Sequence, residues 1–250
     1  MDTYSFDISS EFGYFQWSKT KGDNRITNLF ISKTDVLGIL GAIIGLDGYA
    51  QEYFREKNKS EKKAVFYNSL KGLQISIVPK REPFLFEDHL IHRHLNHVNK
   101  KGSLMVKIFG LIKPSYKVFI QQGNVSRDVF GKLVKYLSKG WAEFIPYAGK
   151  NNFPIEISSF QKEHLQSLSE QEMVVDSLFL EESLMKDVQV FEVQLKMQEG
   201  VFHYVESLKF FDEEVDTPQI VNRNMVWSSS EVSLYGDIYR NGSGETIVFY

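Results

Sequence analysis

The 250-residue sequence contains no cysteine and no long hydrophobic run. Without cysteine the chain cannot form disulfides, thiolate metal sites or a cysteine nucleophile, and a reducing compartment suits it. Its longest apolar run, residues 36–46, is about half as long as a membrane span requires. The N-terminal segment lacks the basic and apolar regions of a signal peptide. We therefore expect a soluble, cytoplasmic protein with no membrane partner.

Acidic and basic side chains are nearly balanced overall but are separated along the chain. Residues 1–150 hold 23 Lys and Arg against 14 Asp and Glu, whereas residues 151–250 hold 6 against 18. The net charge is therefore +9 for residues 1–150 and −12 for residues 151–250. This separation favours an anionic partner bound to the first 150 residues. The alternative is two ordinary solvated surfaces. With 42% hydrophobic residues, the chain can bury one large core or two smaller ones.

The hydrophobic pattern of residues 1–160 predicts the order strand, helix, strand, strand, helix, strand. Period-two alternation predicts strands over 4–17, 65–78, 103–112, 117–121 and 153–157. Thr34 is expected to cap a helix that runs to about residue 46, and residues 126–139 form an amphipathic helix. That order is typical of ferredoxin-like domains, which include the RNA-recognition module.

The rest of the chain predicts a smaller β-rich region, with strands over 188–197, 202–211, 225–228, 233–239 and 246–250. Gly200 is expected in a hairpin turn, residues 49–63 in a helical insertion and residues 162–172 in a linker. The predicted fold class is therefore α+β. A ferredoxin-like, RRM-type domain covers residues 1–160 and carries a long β-hairpin thumb at 79–102, and a β-rich C-terminal region covers residues 161–250.

Three glycines, at positions 38, 41 and 45, share one face of the first predicted helix. Bare backbone on that face lets a strand or another chain approach closely. The pattern is not a dinucleotide fingerprint, because G-x-G-x-x-G must follow a strand directly. Close packing in the core is favoured over a ligand role.

Aromatic and basic residues precede this helix, at a predicted strand end and in a polar loop. Aromatic rings there can stack on bases, and cations can hold phosphates. The candidates for RNA binding are Phe15, Gln16, Trp17, Lys19, Lys21 and Arg25. The alternative is a strand end followed by a solvated loop.

Residues 80–101 hold five Lys and Arg and four of the six histidines, between the second and third predicted strands. A long hairpin can project there, and we predict an RNA-contacting finger. Its candidate residues are Lys80, Arg81, His92, Arg93, His94, Lys100 and Lys101. The histidines also suggest zinc, but their spacing fits no closed structural site and no cysteine is available, so no metal is predicted. A solvated loop is the remaining alternative.

A Gly-Lys turn lies in the segment PYAGKNNFP, residues 146–154. It is not a P-loop, because Phe144 stands where that motif needs glycine and Asn151 where it needs Ser or Thr. The turn still offers backbone N–H groups and one ammonium group to a phosphate, so Gly149 and Lys150 join the candidate RNA site. The alternative is a tight turn into the last strand of the domain.

Together these segments resemble the CRISPR-associated Cas five family, the crRNA-capping subunits of type I Cascade complexes. The first match is residues 12–47, where family members have an aromatic-rich first strand, a polar loop and a helix like LLGLLGAILGL; here that helix reads VLGILGAIIGL at 36–46. The second match is PYAGKNNFP, which resembles the PYLGKNEFP stretch of subtype I-B-like members. There are two departures. Gln16 stands where many relatives have Arg, and Ser32-Lys33 replaces a proline-rich approach to the helix.

The resemblance implies a noncatalytic subunit that binds the five-prime handle of crRNA. It would cap the backbone filament and contact the backbone subunit, Cas seven, and the large subunit, Cas eight. Target DNA would be reached only through the complex, and no cofactor is implied. The thumb would be residues 80–101.

Two other functions stay open. Some subtype C members of the family cut precursor crRNA with a Tyr, Lys and His set. No motif places that set here, so a metal-independent ribonuclease is the alternative function. A protein-only scaffold that uses the acidic C-terminal region is the third.

Overall fold

The structure is a computed structural model that describes residues 2–16, 24–48, 65–93, 103–169, 172–185, 202–212 and 219–250. For residues 24, 89–93, 103–106, 211–212 and 219–220 it describes the backbone alone. These ranges form a mixed α+β fold rich in strands, which confirms the predicted class at that level. Within them, no helix combines the length and the apolar character needed to cross a membrane.

The described ranges contain three α-helices and sixteen strands. The helices are α1 Lys33–Ile44, α2 Val65–Leu70 and α3 Arg127–Lys139. The strands are β1 Thr3–Ser9, β2 Phe12–Gly13, β3 Asn24–Ile26, β4 Gln74–Pro79, β5 Phe84–Arg93, β6 Ser103–Ile112, β7 Ser115–Gln121, β8 Glu156–Glu163, β9 Leu165–Leu168, β10 Met173–Val174, β11 Phe179–Leu180, β12 His203–Asp212, β13 Gln219–Ser228, β14 Glu231–Val232, β15 Ile238–Asn241 and β16 Thr246–Val248.

Four antiparallel strands form the first sheet, in the order β4-β7-β1-β8. Leu73, Ile75 and Ile77 of the expected alternation are fully buried, as is Phe6 of β1. Ser76 and Val78 are buried as well, because the other face of β4 also packs, with Val78 in a cluster with Ile247. Apolar residues of α1 and α3 belong to the same core cluster. Strand β1 therefore lies at the centre of this sheet, and the chain leaves it toward β2 and the candidate site.

The N-cap of helix α1 lies two residues before its predicted position. The N-cap is Ser32, not Thr34: the Asp35 backbone N–H donates to the Ser32 hydroxyl and the Ser32 N–H donates to the Asp35 carboxylate. This reciprocal capping box satisfies two N–H groups at the helix start, which Thr34 cannot do from inside the helix. Gly45, in the left-handed region at φ 76°, ends the helix.

Two further expectations were wrong. Residues 65–70 form helix α2 rather than the start of a strand, because Phe66 and Leu70 lie four residues apart and bury one helical face against α1. Residues 162–168 of the expected linker lie mainly in strands, because β8 ends at Glu163 and β9 covers Leu165–Leu168. The expected helical insertion at 49–63, the strand at 188–197 and Gly200 lie outside the described residues.

The second sheet is built around β6. Strand β5 pairs with it antiparallel from Phe84↔Ile112 to Arg93↔Ser103, while β2 pairs antiparallel and β3 parallel. Strands β5 and β6 thus form the arms of a long hairpin between the second and third strands of the first sheet. Its connecting residues, 94–102, lie outside the described ranges.

Residues after β8 form three small sheets, β10-β14, β11-β13-β12 and β16-β15-β9. Leu208, Met225 and Trp227 from β12 and β13 join the largest core cluster. Glu206 of β12 accepts backbone N–H groups from Leu29 at 2.7 Å and Phe30 at 2.9 Å. The C-terminal strands therefore pack directly on the segment that leads into α1.

Candidate nucleic-acid interface

The two sequence segments that carry the family resemblance meet in space. The Tyr14 N–H donates to the Ala148 carbonyl at 3.0 Å, and the Ala148 N–H donates to the Phe153 carbonyl at 2.8 Å. Gly149 has φ 78°, and a Cβ atom there would collide with the Tyr14 carbonyl. Only glycine fits this position, because both the backbone angle and the close approach exclude a side chain. The Gly-Lys turn is thereby fixed against the chain that follows β1.

The two strands that flank β6 bring charged residues beside this turn. Arg25 of β3 and Asp88 of β5 are both in register with Ile108 of β6, on its opposite sides. Residues in register on neighbouring strands project from the same face. Ile108 packs with Tyr14, and the Lys150 ammonium group lies 4.4 Å from the Tyr14 ring centre. Two cations, one carboxylate and one aromatic ring therefore share this face.

The pKa values at the site reflect this crowding. Burial lowers the pKa of Lys150, the Arg25 guanidinium lowers it further, and the Asp88 carboxylate opposes both. Burial raises the pKa of Tyr14, which the Arg25 cation partly offsets. A bound anion would relieve the repulsion between the two cations and favour the charged form of Lys150. The arrangement suits a phosphate group.

The Tyr14 hydroxyl is buried and has no hydrogen-bond partner among the described residues. A buried hydroxyl without a partner costs about 1–3 kcal/mol of folding free energy. This unsatisfied group lies beside the two cations. Tyr14 was not among the predicted RNA-binding residues, although it lies one residue before Phe15 in the aromatic strand end.

The Phe15 side chain is buried, whereas a residue that stacks on bases must be exposed. Its side chain is only 2% exposed and belongs to the main core cluster. Its backbone N–H donates to the Thr27 hydroxyl at 2.9 Å and its carbonyl accepts from Asn28, so the residue anchors the strand end. In this conformation the ring offers no face to a ligand, whereas Gln16 is exposed.

Lys80 and Arg81 lie at the base of the β5–β6 hairpin. The Lys80 ammonium group is 2.9 Å from the Asp7 carboxylate, so its charge is partly neutralised. Arg81 lines a shallow groove of about 360 Å³, together with Lys113 and Pro154. The groove thus connects the hairpin base with the end of the PYAGKNNFP segment.

The remaining predicted residues fall on or beyond the hairpin arms. His92 and Arg93 end β5, where they pair with Leu104 and Ser103, and only their backbone is described. Trp17, Lys19, Lys21, His94, Lys100 and Lys101 lie outside the described residues. The side chains that the structure does describe include no group of three His, Asp or Glu able to hold a metal ion.

Exposed aromatic rings beside the site were not singled out from the sequence. Phe12 is 44% exposed and Phe84 62% exposed, although both are large apolar side chains. Phe12 also packs edge-on against Phe86 at 5.2 Å between ring centres. Rings in this position can stack on bases better than the buried Phe15. Their exposure follows from the pairing of β2 and β5 with β6, which the strand pattern alone does not give.

No protein-family model matches the chain, and no curated protein matches it. Among solved structures, a chain of a "CRISPR RNA-guided surveillance complex" is similar over 92% of this chain and 91% of its own length, with 11% identity and a TM-score of 0.52. A CRISPR protein from Archaeoglobus fulgidus covers 99% of this chain and 98% of its own, with 14% identity and a TM-score of 0.44. A type III-B Cmr-beta structure bound to cognate target RNA and AMPPnP covers 92% and 86%, with 12% identity and a TM-score of 0.44. The first of these likenesses shows that this chain has a fold found among CRISPR-associated proteins.

Proposed function

We propose that this protein is a noncatalytic subunit of a type I CRISPR surveillance complex, of the Cas five family and close to subtype I-B. In this proposal it binds and caps the five-prime handle of crRNA in the cytoplasm. It contacts the backbone subunit, Cas seven, and the large subunit, Cas eight, and it meets target DNA only through the complex.

The topology supports a ferredoxin-like, RRM-type assignment for the first part of the chain. The strand order β4-β7-β1-β8 corresponds to second, third, first, fourth, with α1 after the first strand and α3 after the third. This is the split βαβ plan of that fold class. The β5–β6 hairpin projects between the second and third strands, which is the position proposed for the thumb.

The observation that carries the proposal is the meeting of the two family-like segments at Tyr14 and Gly149. The contact places Lys150 and Arg25 together beside the hairpin arms. Sequence-independent RNA affinity comes mainly from cations near phosphates, with aromatic rings adding stacking energy. The basic excess of residues 1–150 agrees with an anionic partner on this part of the chain.

A noncatalytic role fits the chemistry of the described site better than RNA cleavage does. The Tyr14 hydroxyl is buried and burial raises its pKa, so it is poorly suited to accept a proton near neutral pH. The side chains of His92, His94 and His97, which a ribonuclease would use, lie outside the described part of the hairpin. Metal-independent cleavage of precursor crRNA is therefore an outcome to test rather than a second proposal.

The test compares a handle-containing RNA with a scrambled RNA of equal length, with and without the backbone subunit. We expect the handle RNA to bind about tenfold more tightly or better. Arg25→Gln and Lys150→Gln should each weaken binding, while Arg223→Gln, in the C-terminal region, should not. Equal binding of scrambled RNA in both settings would contradict the proposal, and cleavage of a repeat RNA in EDTA would favour the ribonuclease.

A further inference from the structure

A groove of about 500 Å³ runs along α1, on the side that its small residues leave open. Thr34, Gly38 and Ala42 form its floor, spaced by four residues and hence on one helical face. Phe66 of α2 and residues 144–147 form its walls. The floor is open at Gly38, where a Cβ atom would meet only the Phe66 ring, at 3.9 Å.

Large apolar side chains stand exposed along one wall. Phe144 is 45%, Ile145 79% and Tyr147 48% exposed. Burial of such side chains is worth about 1.5–3 kcal/mol each, and clustered exposure marks an interaction surface. The segment is held in place, because the Phe144 N–H donates to the Ala42 carbonyl at 3.1 Å. These three side chains therefore line a preformed surface.

The charges around this groove determine which kind of partner it can bind. Among its described lining residues the only charged one is Asp35, whose carboxylate accepts a hydrogen bond from the Ser32 hydroxyl. Lys132, Lys135 and Lys139 occupy one face of α3, a helix that packs against α1. Lys132 reaches the C-terminal end of α1, where it donates to the Ile44 carbonyl at 2.7 Å. An apolar groove beside a basic helix face complements an apolar segment with acidic flanks.

We propose that this groove docks an apolar segment of a protein partner whose flanking carboxylates face the α3 lysines. The partner's apolar side chains enter between Phe66 and Ile145, and the open floor at Gly38 lets its backbone approach closely. This deepens the subunit contacts of the proposed function, because it assigns one of them to a defined surface. It does not depend on RNA binding.

The test uses the purified full chain and a displayed library of random peptides of about 16 residues. We expect enrichment of peptides with two or three apolar residues flanked by Asp or Glu. One enriched peptide is then synthesised and its affinity is measured by fluorescence anisotropy. Ile145→Asp and Gly38→Leu should each weaken binding about tenfold, and replacing Lys135 and Lys139 by Glu should weaken it several-fold.

The matched control is Val205→Asp, because Val205 is also an exposed apolar residue, at 46%, but lies on β12. It should leave peptide binding unchanged. No enrichment, or enriched peptides that bind Ile145→Asp as tightly as wild type, would overturn the proposal. Crosslinking of oligouridylate to Phe144 or Tyr147 with displacement of the peptide would also overturn it. Handle-RNA preference is measured separately, so failure of one proposal does not imply failure of the other.

Discussion

The Lys150 ammonium group lies 4.4 Å from the centre of the Tyr14 ring. This cation–π contact joins two segments far apart in the sequence, each of which resembles the same family. The contact also places Lys150 near Arg25, whose charge helps to lower the Lys150 pKa. Two cations held this close repel each other, and the repulsion is relieved when an anion binds between them.

Removal of the Lys150 charge should weaken RNA binding and its dependence on salt. In Lys150→Gln, the slope of log K against log salt should fall by about one, because one phosphate contact is lost. Affinity should drop about three- to tenfold at moderate salt. Titrations at several salt concentrations measure both quantities. An unchanged slope would show that Lys150 does not contact phosphate.

Tyr14→Phe should stabilise the protein and leave RNA binding intact. The hydroxyl is buried without a partner, so its removal relieves a desolvation cost of about 1 kcal/mol or more. The ring beneath Lys150 remains, which preserves the cation–π contact. Denaturant melts and RNA titrations of the variant test both expectations. A loss of RNA affinity would instead assign the hydroxyl to ligand binding.

Gly149→Ala should disrupt the junction between the two segments. A left-handed backbone costs about 1–2 kcal/mol for a residue with a Cβ atom, and the collision with the Tyr14 carbonyl adds to this. We expect a loss of at least about 2 kcal/mol in the free energy of unfolding, with weaker RNA binding. Gly131→Ala in α3 is the control: nothing lies within 4 Å of its added Cβ atom, and it should stabilise the helix by about 0.5–1 kcal/mol. Equal effects of the two substitutions on stability would contradict the requirement for glycine at position 149.

The sequence predicted the parts of the fold that depend on local periodicity. Alternation identified Ile75 and Ile77 of β4 as core residues, although the other face of that strand is buried too. The apolar spacing of α3 predicted that helix within one residue of its observed start. The local sequence pattern could not distinguish the short helix α2 from a strand, because Phe66 and Tyr67 are compatible with both. The long-range contact between Phe66 and Gly41 favours the helix. The site was predicted in part: Lys150 and Arg25 come together, but the pairing that places Asp88 beside them is long-range. Phe15 is buried because Thr27 pairs with its strand end, a contact that its neighbours do not encode.

The glycines of α1 should differ sharply in their tolerance of a side chain. A Cβ atom at Gly41 would lie 2.5 Å from the Phe66 Cβ atom, so Gly41→Ala must push α2 away from α1. We expect a loss of about 1–3 kcal/mol in the free energy of unfolding. A Cβ atom at Gly38 meets no such obstacle. Gly38→Ala should therefore raise the free energy of unfolding by about 0.5–1 kcal/mol, because alanine has the higher helix propensity. Urea melts of both variants make the comparison, and destabilisation by Gly38→Ala would show that the groove is narrower than described.

Glu206 should make stability depend on pH. Burial raises the pKa of this carboxyl from its ordinary 4.5 to about 7, although the Leu29 and Phe30 N–H groups act in the opposite direction. The folded chain therefore holds the proton more tightly than the unfolded chain does. The stabilisation from this proton is complete below about pH 4.5 and is lost as the pH rises through about 7.

Glu206→Gln isolates this effect, because glutamine resembles the protonated carboxyl and does not titrate. The free energy of unfolding of wild type, minus that of the variant, should decrease steadily from pH 4.5 to pH 7.5. Other titrating groups are common to both proteins and cancel in the difference. A difference that stays constant with pH would show that the Glu206 carboxyl has an ordinary pKa. A difference that increases would show that the two backbone N–H donors outweigh burial and hold the carboxylate charged.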